Sequence, residues 1–156
     1  MPTDRKDNPG VIAPPPLIFA IPLIGGVLVG RAFPFQVLPR PLALAIGGAL
    51  ALSAAALMFW AVVSFRQAAT PMVPYKPTAA IIASGPFALT RNPVYLAMAL
   101  LYAGITLLVN TVWPLLLLPF VLAVVQRGVI EREERYLEQK FGGEYMNYKS
   151  CVRRWL

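Results

Sequence analysis

Two stretches of this sequence hold side chains able to do chemistry: the acidic pair Glu133-Glu134, and the block Arg91-Asn92-Pro93-Val94-Tyr95. Around the acidic pair stand Tyr136, Tyr145 and Tyr148, and ahead of the arginine block stand Gly85 and Phe87. The chain contains no histidine and one cysteine, Cys151. That excludes histidine-based triads, histidine-ligated metal sites and an internal disulfide, and no metal site is expected. Cys151 is also misplaced for C-terminal lipidation, which needs a cysteine where Arg153 stands. Carboxylates, aromatic rings, amides and backbone groups remain. They suit the binding of a molecule with both cationic and anionic parts, and reactions that depend on positioning.

The elements that must position these groups are read from hydropathy. Charged residues make up 13% of the chain and hydrophobic ones 58%, whereas a soluble domain carries roughly a quarter charged residues. The expected fold is all-α and integral to the membrane, one domain over residues 1–156, with four transmembrane helices and a C-terminal amphipathic cytoplasmic helix. The spans fall at about 15–31, 41–65, 94–109 and 112–127. The first begins near Pro16, with proline in its first turn. A signal peptide competes there, but a second span follows at once and Asp4 and Asp7 offset the basic start. Asn92 to Gln126 is free of charge and too long for one crossing, so the polar pair Asn110-Thr111 marks a tight helical hairpin.

Charge orients the bundle. Arg5, Lys6, Arg66, Lys76, Arg91 and the basic residues from Arg127 to Arg154 fall on the side of both termini, against Arg31 and Arg40 on the other. The termini, the 66–93 loop, with the expected cofactor-binding loop 73–93 inside it, and the 128–156 segment should therefore be cytoplasmic. The net charge of +7 is accordingly assigned to lipid headgroups, and nucleic acid is not expected as a partner. Gly26 and Gly30 form a small-residue pair for joining protomers or the first two spans, and Gly47, Ala51 and Ala55 form a second packing stripe.

Both polar segments lie on the same expected face of the membrane. In the first, Val73 to Tyr95, four prolines prevent a continuous helix, and Ser84-Gly85-Pro86 reads as a turn. Thr90 or Asn92 could cap the third span ahead of Pro93, leaving helix N–H groups for an anionic ligand group. In the second, Ile130, Glu134, Leu137 and Phe141 share one helical stripe, with Glu133 and Tyr136 beside it. Gly142-Gly143 breaks that helix. Taken separately, the first is an ordinary loop and cap, and the second an amphipathic helix lying on the membrane. Together they offer carboxylates and aromatic rings for a sulfonium, and a helix N-terminus or arginine for a carboxylate. Methyl transfer between bound partners needs no metal and no protein nucleophile, only alignment.

At these residues the chain resembles the isoprenylcysteine carboxyl methyltransferase and phospholipid methyltransferase superfamily of membrane enzymes, from Lys76 to Val152. The resemblance rests on Ser84-Gly85-Pro86-Phe87 leading into Arg91-Asn92-Pro93-Val94-Tyr95, then on Glu133-Glu134 leading into Leu137, Phe141-Gly142, Tyr145 and Tyr148. It implies an S-adenosylmethionine-dependent methyltransferase that binds its cofactor, and leaves S-adenosylhomocysteine, on the cytoplasmic side. The implied cofactor set is the strand-like Ala79, Ala80, Ile81 and Ile82, then Gly85, Phe87, Arg91, Asn92, Pro93 and Tyr95, with Glu133 favoured over Glu134 in the acidic pair.

Two positions depart from the isoprenylcysteine enzymes. Asn92 replaces their histidine, and Val129 stands where their substrate-contacting arginine would be, leaving Arg127 as the nearest candidate. The expected catalytic residues are therefore Glu133 and Arg127, and the expected acceptor is lipidic or amphiphilic and arrives from the bilayer. Two other functions fit the architecture. One is a non-enzymatic transport or assembly protein, although no span carries the buried charge a transporter would show. The other is a sterol-reductase-like enzyme using NADPH, for which the chain is short. Compact size points to a prokaryotic inner membrane.

Overall fold

The computed structural model describes residues 8–72 and 77–156. Residues 1–7 and 73–76 lie outside it, and with them Arg5, Lys6, Lys76 and the start of the expected 73–93 loop. Among the described residues every regular element is helical: α1 (Pro15–Ala32), α2 (Arg40–Gln67), α3 (Pro93–Val109), α4 (Val112–Val125), α5 (Glu131–Phe141) and α6 (Gly143–Cys151). Proline stands in the first turn of α1, α2 and α3, where its missing N–H costs no helical bond.

Three helices are long and apolar enough to cross a membrane: α1, α2 and the continuous rod Val112–Phe141. The shorter α3 is also apolar. This is an integral membrane helical protein. At 1.5 Å per residue α2 extends about 42 Å, beyond the roughly 30 Å of a hydrocarbon core, and α3 only about 25 Å. The short helix is the inner one. It packs on α2, α1 and α4, and Tyr95, Ala97, Tyr102, Gly104, Thr106 and Leu107 are buried on it. Leu52, Phe59 and Phe120 remain more than 70% exposed, which in this setting means facing lipid.

Small residues set the spacing. Gly104 of α3 lies so close to α2 that an added Cβ would be 2.9 Å from the Ala51 nitrogen, and one on Gly47 would meet the Gly104 carbonyl at the same distance. The Gly47–Ala51 stripe is therefore the α2–α3 seam. The Gly26–Gly30 face is also used inside the chain, and not against the second span. A Cβ on Gly26 would be 2.7 Å from Pro114, and one on Gly30 would collide with the Thr111 hydroxyl. The first turn of α4 packs on that face.

The expected hairpin between α3 and α4 forms at the expected residues, with Asn110 in the left-handed region at φ +58°. Two features differ from the sequence reading. No strand forms at Ala79–Ile82, because the backbone there bonds to side chains: Ala80 N–H donates to Thr70 (3.2 Å) and Thr78 N–H to Tyr136 (3.3 Å). The helix of the fourth span does not end near residue 127. It passes through a π-helical turn, Gln126–Ile130, straight into α5. Gly128, Val129 and Ile130 of that turn are buried, and the Gly128 carbonyl accepts from Ile12 N–H (3.3 Å).

Candidate functional site

All the polar segments meet at one end of the bundle. Below α2, residues 78–92 fold back across its C-terminal turns. Gly85, at φ +62°, starts a short 3₁₀ turn, and a Cβ there would press on Ser64 and Trp60. The turn buries Phe87 edge-to-face on Phe65, ring centroids 5.3 Å apart. Tyr148 of α6 donates to the Phe87 carbonyl at 2.7 Å. The two sequence segments are thus joined directly.

Between them lies a half-open cavity of about 120 Å³. Ala80, Ile81, Ile82, Phe87, Arg91, Asn92, Glu133 and Glu134 line it, together with Tyr145 and Tyr148. Of the other residues expected here, Ala79 is exposed, Gly85 packs on α2, and Pro93 is buried in the first turn of α3. Tyr95 does not line the cavity, and its hydroxyl bonds to Glu133, which does. Arg127 is not brought to this cavity. It is exposed on the π-helical turn beside a separate hollow lined by Leu96, Ala99, Leu122, Gln126 and Trp155.

The two adjacent glutamates have different surroundings. Glu134 is 7% exposed and is held by two arginines: Arg154 donates from Nε (3.0 Å) and Nη2 (2.7 Å), and Arg91 Nη2 lies 3.3 Å away. Glu133 has no cation in contact among the described residues. Its Oε1 accepts from the Tyr95 hydroxyl at 2.7 Å. Burial pushes its carboxyl up to about 7, with Tyr95 opposing and the charge of Glu134 adding to the rise. Burial likewise raises the Tyr145 phenol to about 12.

Arg91 is the other unusual group. Its side chain is 8% exposed, yet Nε and Nη1 are buried with no hydrogen-bond partner among the described residues. A guanidinium that has lost water, with Glu134 and Tyr145 as its neighbours, still has donors to spare, a costly arrangement in a cavity wall unless a ligand completes it. Asn92, by contrast, is spent on the protein. Its side-chain amide donates to the Arg154 carbonyl at 2.9 Å, so the first turn of α3 has no side-chain cap.

The sequence reading missed several parts of this site. Pro9 and Thr70 line the cavity although no motif marks either of them. Arg154 was counted only among lipid-facing charges. The expected pattern of bases would not have singled it out, because its partner lies twenty residues away on a helix it does not share.

The phospholipid methyltransferase family matches residues 42–144, which include α2, the loop, the hairpin and the acidic pair. The chain belongs to that family. It is therefore a membrane protein of a methyltransferase family, related to the wider superfamily its motifs resemble. An uncharacterized protein of Haemophilus influenzae is 47% identical over 64 residues, covering 40% of this chain and all of that protein. No solved structure matches.

Proposed function

We propose that this protein transfers a methyl group from S-adenosylmethionine to a lipidic or amphiphilic acceptor that reaches the cavity from the bilayer. The observation that carries the reading is Arg91. Among the described residues, two buried guanidinium donors lack partners in the same cavity as a glutamate that has no cation in contact. One molecule with a carboxylate and a cationic centre satisfies both.

The residues fit that molecule. Arg91 would take its carboxylate through Nε and Nη1. Glu133 would face its cationic portion, held in one rotamer by Tyr95. Phe87, Tyr145 and Tyr148 supply aromatic surface for a cation or a flat ring. When bound, the cofactor supplies an activated methyl on sulfur. The chain's part is to align donor and acceptor and to keep water out. By the distribution of basic residues, the cavity end faces the cytoplasm.

The test is calorimetric titration of detergent-purified protein with S-adenosylmethionine and S-adenosylhomocysteine, beside Glu133→Ala. Wild type should bind both in the micromolar range. Glu133→Ala should weaken S-adenosylmethionine about 100-fold, the loss expected when a buried charge-assisted contact is removed. Labelled donor then identifies acceptors. Folded wild type that binds neither compound, in detergent and in lipid nanodiscs, would sink the proposal.

A further inference from the structure

The last residues of the chain contribute more to the cavity than their position suggests. The backbone of residues 153–154 runs along the arginine block. Arg91 N–H donates to the Arg153 carbonyl (2.9 Å), and both the Thr90 hydroxyl (3.1 Å) and the Asn92 amide (2.9 Å) donate to the Arg154 carbonyl. Trp155 fixes the next position by donating to Gln126 at 3.2 Å. Arg154 is thereby delivered to Glu134 with a two-pronged grip, and its Nη1 lies 3.8 Å from Glu131. The family match ends at residue 144, ten positions short of it.

Glu134 has one negative charge and two arginines competing for it. Arg154 occupies both carboxylate oxygens at 3.0 and 2.7 Å, and Arg91 holds a single contact at 3.3 Å. An arginine alone beside a carboxylate closes on it through two parallel bonds. Without Arg154, Arg91 would do the same, turning its remaining donors from the cavity to Glu134.

We propose that Arg154 is a positioning residue: by saturating Glu134 it keeps Arg91 Nε and Nη1 available for the carboxylate of the cavity's ligand. This rests on the cofactor reading above and adds a residue that does not itself line the cavity. It makes a specific demand on the ligand. Only the part bearing the carboxylate should notice the loss of Arg154.

Two probes separate the parts. S-adenosylhomocysteine carries the amino-acid carboxylate, and 5′-methylthioadenosine keeps the nucleoside and thioether without it. Calorimetry on the full chain should show Arg154→Ala weakening S-adenosylhomocysteine about tenfold, the size of one charge-assisted bond, and leaving methylthioadenosine within about twofold. Arg154→Lys should restore part of the loss, since it returns the charge without the fork. Arg154→Gln provides the same comparison should the alanine variant not fold. Equal weakening of both probes would make Arg154 a merely structural tether and overturn the inference, as would no change in either. Wild type that binds neither probe overturns the cofactor reading, and the inference with it.

Discussion

The two ends of this bundle are both polar, and they differ in whether the protein completes its own hydrogen bonds. At the hairpin end, Asn110 accepts from Val37 N–H (3.1 Å) and Leu38 N–H (3.2 Å) and donates to the Leu38 carbonyl (2.8 Å). Trp113 donates to the Phe33 carbonyl, and Arg40 to that of Leu108. The one buried group left over there, the Thr111 hydroxyl, is neutral and pressed against Gly30. At the cavity end, the atoms left over among the described residues belong to a charged guanidinium in the cavity wall, and the only described partner of a neighbouring carboxylate is a tyrosine. Saturated polar clusters in a membrane protein hold the fold. Unsaturated charged ones, next to a cavity, are where a ligand completes the structure.

The strongest way to break this contrast is through pH. With its carboxyl near 7, Glu133 is protonated below that value and must release the proton to pair with a cation. Affinity for S-adenosylmethionine should therefore fall as pH drops below 7, by about tenfold per unit, and stay level above it. Titrations from about pH 5.5 to 8 would check this, and Glu133→Gln should flatten the curve. A wild-type profile flat across that range would mean that Glu133 does not meet the ligand's charge.

The next test falls on the opposite end. Asn110→Ala removes three hydrogen bonds and puts a β-carbon residue at φ +58° without the side chain that supports it. We expect a stability loss of about 2–3 kcal/mol, read as a lowered thermal midpoint in detergent. Affinity in the surviving folded protein should stay within about twofold, since the hairpin has no part in the cavity. A large affinity change at unaltered stability would erase the distinction between the ends. The smallest effect belongs to Tyr95→Phe. It removes the one bond that lowers the Glu133 carboxyl, so the midpoint of the pH profile should move up, and affinity at pH 7 should drop by roughly threefold to tenfold, as expected for one hydrogen bond to a charged group.

How far the sequence could be read follows from where the information lies. Helix positions are written locally, in charge-free runs bounded by prolines and an asparagine, and the observed elements begin within a residue or two of expectation at Pro15, Arg40, Pro93 and Val112. The stripe that put Glu134 on the buried face of its helix was also local. Glu133 and Arg91 could be recognised as candidates because they sit in recurring motifs. The use of Gly26 and Gly30 could not be read, since a small residue shows that something comes close without showing what. Nor could the side-chain bonds that keep Ala79–Ile82 out of a strand.

By itself, then, the sequence determined a membrane-embedded helical bundle, the residues of its hairpin, and the two segments that hold its chemistry, because hydropathy and turn chemistry act between near neighbours. Only the tertiary structure decided which of the two cavity-lining glutamates is neutralised by arginines and which is paired with a tyrosine. Those assignments depend on charges contributed from separate parts of the chain: Arg91 ahead of α3, the acidic pair on α5, and Arg154 after α6. Coulombic pairing depends on distance in space, and no spacing along a chain encodes it.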